Sequence, residues 1–387
     1  LILPLVERVL SRFGNTPQEK AAMILLDAKG DMEELGTKCV QNAGRKDDLF
    51  ILGAGGNCTF ALFDQFDGDS TAVANFLYEI LEDRSTKRVG ESSFWEENAR
   101  RLLRAGATHA KSLHGATFGG LKGISEGINS IISARSRTEY VSDDDDDSDD
   151  DESNKRASNV SLKSLEDGFI AGRISQTEFN ETRDYIVQDV LTGSSRTWSI
   201  IANMTRNYLA QFSNPHLREI FENNPKKRNL TPDDLIDEGL ILIINLSPVI
   251  YGEAATPFRT AIKKAFCERI LQRQHLVQTT EGIDVPINQT RPILYVLDEF
   301  HTTLSAQGRG CDAYFLDRAR EFKCMCILAS QGISAIGSVF DNSHKLNHLL
   351  NNCRTKFFFA NDCPQTLEYF ESLSLIHISE PTRPERI

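Results

Sequence analysis

A run of five apolar residues that ends in two carboxylates constrains the fold more than any other stretch of the sequence. Pro292 is followed by Ile293-Leu294-Tyr295-Val296-Leu297, and then by Asp298 and Glu299. An apolar run of this length without alternation predicts a strand buried on both faces of a parallel sheet. Open α/β sheets bind ligands at the carboxyl ends of their strands, so the two acids are candidate site residues. The alternative is a core strand that simply ends in two solvated acids.

Comparable apolar runs recur along the chain, with segments of helical spacing between them. Together they predict a doubly wound, mainly parallel α/β sheet. The predicted strands lie at about 22–27, 49–52, 240–246, 292–297, 324–329 and 355–360.

The order of the two acids predicts a different role for each. Adjacent carboxylates after a buried strand are typical of the hydrolytic half of a nucleoside triphosphate site. There the first acid holds Mg²⁺ and the second polarises the attacking water. The pattern therefore makes Asp298 a candidate metal ligand and Glu299 a candidate catalytic base.

A second buried strand, 324–329, ends in Ser330 and Gln331. With this pairing of acids and glutamine, the sequence resembles the conjugative type IV secretion coupling proteins (TraD/TraG-like). These are RecA-like P-loop ATPases of the FtsK/HerA superfamily. The resemblance implies that Gln331 senses the γ-phosphate and that Arg320, before the strand, reaches the nucleotide of a neighbouring subunit. Phe94-Trp95-Glu96-Glu97-Asn98-Ala99-Arg100 resembles a further segment of that family.

The resemblance also covers the first predicted strand, which ends in Asp27-Ala28-Lys29-Gly30. In the family, a strand ending in Asp-x-Lys-Gly follows the helix after the phosphate-binding loop. Lys29, like Asp298, is thereby placed among the cofactor-binding residues for ATP and Mg²⁺. This order in the family implies that the loop itself lies immediately before Leu1. No G-x-x-x-x-G-K-[ST] occurs within the chain. The fragment alone is therefore expected to be inactive.

Gly53-Ala54-Gly55-Gly56-Asn57 is the one glycine-rich stretch that could be mistaken for a phosphate loop. It lacks the Lys and Ser/Thr that reach the phosphates and Mg²⁺, and no clear helix follows it. We interpret it as a turn, with a phosphate site as the alternative.

Composition sets wider limits. The chain has 387 residues, 40% of them hydrophobic and 25% charged, which is typical of a globular protein with about two compact units. The net charge of −12 disfavours a nucleic-acid partner, but removing the nine acids of residues 143–152 leaves only −3.

The eight cysteines form no CxxC pair. Cys324 and Cys326 alternate in a strand, which predicts small core residues rather than metal ligands. No apolar run approaches the ~18 residues that would cross a bilayer.

The predicted organisation has four parts. Residues 1–118 form the first part of a RecA-like ATPase domain, and residues 119–228 form a helical insertion with a disordered acidic linker at about 140–160. A metal-binding acidic loop, or a flap that mimics DNA, are the alternatives for this linker. Residues 229–372 complete the ATPase domain. Residues 373–387 resemble the translation of a sequencing-library adapter and are set aside from site reasoning.

Taken together, the resemblance implies an ATP-driven DNA-translocating motor that delivers DNA to a type IV secretion channel. The expected partners are DNA, in single-stranded form, and the secretion-channel and relaxosome proteins. The chain is also expected to assemble with copies of itself into a homo-oligomeric ring, with a hexamer as the expected form. The expected location is cytoplasmic, at the face of the inner membrane if a region ahead of the chain supplies the membrane contact. The alternatives are a non-hydrolysing scaffold with a degenerate ATPase fold, or another FtsK/HerA-class motor acting in DNA repair or protein secretion.

Overall fold

The computed structural model describes residues 2–13, 19–82, 92–136, 151–210, 214–222, 224–273, 277–280, 283–286, 291–305, 311–340 and 343–374. The strands are β1 (Ala22–Asp27), β2 (Leu49–Gly53), β3 (Cys58–Phe60), β4 (Arg228–Leu230), β5 (Ile241–Asn245), β6 (Val277–Thr280), β7 (Ile283–Pro286), β8 (Ile293–Leu297) and β9 (Cys324–Leu328). Five of them form a central parallel sheet with the order β2-β5-β1-β8-β9. The predicted parallel α/β fold is confirmed, and β3-β4 and β6-β7 form two small separate sheets.

Helices cover both faces of the sheet. They are α1 (Ile2–Arg12), α2 (Glu33–Asn42), α3 (Ser70–Glu82), α4 (Ser92–His114), α5 (Gly120–Ser136), α6 (Asp151–Ile170), α7 (Gln176–Asp184), α8 (Ser195–Ala210), α9 (Pro215–Phe221), α10 (Pro232–Glu238), α11 (Pro248–Tyr251), α12 (Ala255–Gln272), α13 (Asp312–Arg318), α14 (Ile333–Gly337), α15 (Ser343–Asn352) and α16 (Pro364–Ser374).

Alternate residues of the central strands enter two different hydrophobic clusters. Met23 and Leu25 of β1 pack with Val6 and Leu10 of α1 on one face. Ile24 and Leu26 belong to the larger cluster on the other face, which also contains apolar residues of α4, α5 and α12. The helical segment predicted as an insertion thus shares one core with the sheet. Strands buried on both faces have no polar side, which explains their unbroken apolar runs.

The predicted sixth strand, 355–360, is wrong. Residues 356–359 have no regular secondary structure, and Phe357 and Phe359 are 63% and 73% exposed. Within the described residues β9 pairs only with β8. A strand needs a hydrogen-bonded neighbour as well as apolar side chains, and an apolar run alone does not supply one.

The acidic linker predicted to be disordered to about residue 160 needs a correction at its end. Helix α6 begins at Asp151 and continues to Ile170. The rest of the run, up to residue 150, lies outside the described residues, as do 375–387.

Two local predictions are confirmed. The Gly53–Asn57 stretch is a turn that leads into strand β3, not into a helix. Asn57 closes it by accepting the Ile51 N–H at 2.8 Å. Cys324 and Cys326 share one face of β9, with their sulfurs 4.0 Å apart.

Helix α12 buries charged residues as well as apolar ones. Three of its cationic residues, Arg259, Lys263 and Lys264, are at most 2% exposed. Lys263 pairs with Asp312 at 2.5 Å, and both side chains are buried. Burial of these charges requires partners on neighbouring segments, which a helical spacing pattern does not reveal.

Candidate functional site

The carboxyl ends of β1, β8 and β9 carry the polar residues of the candidate site. Asp27, the last residue of β1, is fully buried. Its Oδ1 accepts the N–H groups of Lys29 and Gly30 at 3.2 and 2.7 Å. Its Oδ2 accepts those of Met32 and Glu33 at 2.8 and 3.1 Å. The carboxylate therefore shapes the turn that presents Lys29 and begins helix α2, and both of its oxygens are already engaged.

Two further side chains fix this turn from outside. Ser247, which follows β5, donates its hydroxyl to the Lys29 carbonyl at 3.0 Å. Arg259 of α12 donates to the Ala28 carbonyl at 2.6 Å. Gly30 has φ +88°, and a Cβ there would lie 3.0 Å from the Asn245 and Ser247 side chains. Glycine is therefore the residue that fits this close approach.

Glu299 follows β8 in a strained backbone conformation. Its φ and ψ are 44° and 46°, the left-handed region that non-glycine residues rarely occupy. Such a conformation costs on the order of 1 kcal/mol or more and is typical of functional positions. It turns the side chain into the site, where Glu299 is 7% exposed.

The Glu299 carboxylate brings together three of the predicted site residues. Its Oε1 forms an ion pair with Lys29 and accepts a hydrogen bond from Gln331 Nε2 at 3.1 Å. Burial raises the pKa of Glu299, but the hydrogen bonds from Lys29 and Gln331 outweigh it and hold the pKa below its usual value. The hydrogen bond to Glu299 likewise raises the pKa of Lys29. Glu299 is therefore an ionised, pre-oriented carboxylate.

Asp298 lies beside this network and is half-buried. Burial, followed by the charge of Glu299, raises the pKa of Asp298. Carboxylate oxygens of Asp298, Asp27 and Asp31 lie within 4.8 Å of one another. These hard oxygen donors, with their mutual repulsion, fit Mg²⁺. Asp298 and the exposed Asp31 are the ligands available to it, because four backbone amides occupy Asp27.

Arg320 is not brought to this group of residues. It lies in a short 3₁₀ turn, Ala319–Phe322, before β9, whereas Gln331 lies just after that strand. Its side chain is exposed. Within one chain it therefore sits at the end of β9 away from Glu299.

The sequence interpretation missed four residues that contact the site: Asn245, Ser247, Arg259 and His301. Asn245 ends β5 and donates to Glu33 at 2.5 Å, so the rule applied to the other strand ends would have found it. His301 stands two residues after Glu299, with its Nδ1 3.5 Å from Glu299 Oε2. Arg259 gave no signal, since it is one of several charged residues in a helix far away in the sequence.

No protein-family model matches the chain, and no curated protein matches its sequence. Solved structures do resemble it. The plasmid coupling protein TrwB in complex with the non-hydrolysable GTP analogue GDPNP has a TM-score of 0.50 and 15% identity, over 86% of this chain and 62% of that one. The unbound bacterial conjugative coupling protein TrwBdeltaN70 has a TM-score of 0.48 and 14% identity, over 86% and 60%.

These likenesses concern the fold. The chain has the RecA-like, mainly parallel α/β fold. It spans only 60–62% of the length of the two structures. Among the described residues, no helix is both long and apolar enough to cross a membrane.

Proposed function

We propose that this chain belongs to an ATP-driven DNA-translocating motor that resembles a conjugative coupling protein. The observation that carries the proposal is the convergence of Lys29, Gln331 and Glu299 beside Asp298, at the carboxyl ends of three adjacent strands. Parallel sheets of this kind bind their ligands at that edge. The TrwB structure that it resembles was solved with a nucleotide analogue.

Each residue takes a specific part in hydrolysis under this proposal. Glu299, ionised and buried, accepts the proton of the attacking water. Gln331 reports the γ-phosphate, because its amide already contacts Glu299 and can also contact a phosphate oxygen. Lys29, which is more than half exposed, moves from Glu299 toward the nucleotide phosphates. Asp298 holds Mg²⁺, which when bound neutralises phosphate charge.

The proposed motor is a ring, with a hexamer as the expected form. Arg320 is exposed and remote from Glu299 of its own chain, so it is available to the nucleotide of a neighbouring subunit. The proposed substrate is DNA, single-stranded, delivered to a type IV secretion channel, and the proposed location is the cytoplasmic face of the membrane that holds this channel.

Substitution of Glu299 tests the proposal. The protein is expressed from its complete reading frame, and ATP hydrolysis is measured with and without single-stranded DNA. Glu299→Gln should lower the DNA-stimulated rate by about 10³-fold, within the range of a general base. Glu371→Gln, an exposed acid of α16, is the matched control. An unchanged rate in Glu299→Gln would refute the assignment. A wild-type protein without any hydrolysis would instead favour the scaffold alternative.

A further inference from the structure

One oxygen of the Glu299 carboxylate is left without a hydrogen bond. Oε1 is engaged by Lys29 and Gln331, whereas Oε2 is buried and has no hydrogen-bond partner among the described residues. The nearest polar atom recorded for it is Nδ1 of His301, at 3.5 Å. An ionised oxygen buried in this way is costly unless a donor approaches it.

His301 is held at this position by the end of the neighbouring strand. Its Nδ1 lies 3.0 Å from the hydroxyl of Ser330, the residue before Gln331. The Ser330 hydroxyl also lies 3.4 Å from the Gly332 carbonyl, and when it donates there its oxygen is available as an acceptor for His301. The tautomer that satisfies both contacts carries its hydrogen on Nδ1. In this tautomer the Nδ1–H group faces both Ser330 Oγ and Glu299 Oε2.

We propose that His301 is a positioning residue for Glu299, a role that rests on the proposed hydrolytic function. Oε1 is occupied, so Oε2 is the oxygen that can accept a proton from water. The Nδ1–H group of His301 orients Oε2, while Gln331 orients Oε1. The imidazole thereby couples the turn after β8 to the end of β9, and both sides of the carboxylate are fixed before nucleotide binds.

The surroundings support a geometric role. The charged groups known to lie close to the imidazole are Glu299, with Lys29 and Asp298 beyond it. Helix α14, which packs against the same turn, carries no titratable residue. A neutral imidazole already provides the Nδ1–H donor, so the proposed contact needs no change of charge.

Three substitutions separate the Nδ1 atom from the bulk of the ring. His301→Asn places an amide nitrogen where Nδ1 stands, His301→Gln places it where Nε2 stands, and His301→Phe keeps only the ring. In the complete protein, kcat for ATP hydrolysis should fall about tenfold in the Gln and Phe variants and stay within about threefold in the Asn variant. The affinity for a fluorescent ADP analogue should stay within about twofold in all three, because Glu299 is proposed to act on water.

A second readout needs no nucleotide. The side-chain amide signal of Gln331 in a ¹⁵N-correlated NMR spectrum, assigned with Gln331→Glu, should move in His301→Gln and stay in place in His301→Asn. Equal losses of kcat in all three variants together with lowered Tm would overturn the proposal, because they would show a packing role. Unchanged kcat in all three would also overturn it while leaving the hydrolytic function intact. A wild-type protein that does not hydrolyse ATP would overturn both.

Discussion

Gln331 donates from its side-chain nitrogen to Glu299 Oε1 at 3.1 Å, although 32 residues separate the two in the sequence. Lys29, from the turn after β1, binds the same oxygen. Side chains that follow β1 and β9 thus meet at a single carboxylate atom of the residue that follows β8, the strand between them. The hydrogen bonds hold the pKa of Glu299 low against the opposing effect of burial. A ligand that draws Lys29 or Gln331 away would therefore make Glu299 a stronger base.

Replacing Lys29 with Met should change how the free energy of unfolding decreases at acidic pH. The pKa of Glu299 is lower in the folded state than in the unfolded state. The ionised carboxylate therefore stabilises the fold at pH values above its unfolded-state pKa of about 4.3, and this stabilisation is lost as the pH falls through the folded-state pKa. Without Lys29, burial remains as the main effect on the pKa of Glu299. Lys29→Met should therefore be less stable than wild type at pH 7, with the difference shrinking below about pH 4.

The size of this effect should be modest, at most about 1 kcal/mol, because the Lys29 side chain is 54% exposed. Urea unfolding between pH 3 and pH 8 measures it. Lys38→Met removes an exposed pair with Glu34 on α2 and is the control. If both variants follow wild type in parallel at every pH, the Lys29–Glu299 pair does not determine the decrease in the free energy of unfolding at acidic pH.

Asp298→Asn should stabilise the protein at pH 7. The pKa of Asp298 is raised in the folded state, chiefly by burial, so the folded chain holds its proton more tightly than the unfolded chain does. Stability due to this group then falls as the pH rises through the window between the unfolded and folded values. Removing the charge should raise Tm by a few degrees, and the gain should disappear below about pH 4.

The effect of Mg²⁺ on Tm tests the same carboxylate in a second way. The ion should raise Tm of the wild type, because it relieves the repulsion among the site carboxylates, and it should do so less in Asp298→Asn. The exposed Asp362, changed to Asn, is the control for a general charge effect. A Tm for Asp298→Asn below that of wild type at pH 7 would contradict a raised pKa of Asp298 in the folded state.

Asp27→Ala should destabilise the chain by roughly 3 kcal/mol or more. Four backbone N–H groups lose their acceptor, and a buried unsatisfied donor costs about 1–3 kcal/mol. Asp27→Asn should cost less, since it keeps one acceptor oxygen. Urea unfolding is the measurement, with the exposed Asp31→Ala as the control. A loss below about 1 kcal/mol would mean that water replaces the carboxylate in the turn.

Apolar runs predicted the sheet because the central strands are buried on both faces, so that every residue from Ala22 to Leu26 must be apolar. The same signal failed at Phe357–Phe359, where no neighbouring strand is present among the described residues. Acids and amides at strand ends predicted Asp298, Glu299 and Gln331. His301 and Arg259 escaped because neither stands at a strand end. His301 is held beside Glu299 by Ser330, and Arg259 reaches the Ala28 carbonyl from helix α12, and both of these contacts join segments distant in sequence.

Arg320→Ala should lower ATP hydrolysis by about 10³-fold if the residue completes the site of a neighbouring subunit. Mixing Arg320→Ala protein with Glu299→Gln protein tests this directly. Some interfaces of the mixed ring would pair an intact Glu299 with an intact Arg320, and activity should rise above that of either variant alone. Mixing Glu299→Gln with the double variant gives no intact interface and is the control. A mixture no more active than its components would place Arg320 outside the shared site.

The buried pair of Lys263 and Asp312 should be more costly to break than to replace. Lys263 donates to Asp312 at 2.5 Å and also to the Thr303 carbonyl, and Asp312 accepts the Ser305 N–H at 2.7 Å. The pair thus ties α12 to the segment that follows Glu299. Lys263→Met leaves a buried carboxylate without its cation, which should cost about 3–5 kcal/mol. Lys263→Met with Asp312→Leu removes both charges and should cost less, although the Ser305 N–H then loses its acceptor.

Urea unfolding of the two single variants and the double variant gives the coupling free energy of the pair. Lys323→Met, which changes an exposed lysine, is the control. We expect a double variant that is more stable than Lys263→Met alone, because desolvation of the unpaired carboxylate dominates the loss. Additive losses would show instead that each side chain acts through its own contacts, Lys263 on Thr303 and Asp312 on Ser305, and that the ion pair adds nothing to the connection between α12 and the Glu299 turn.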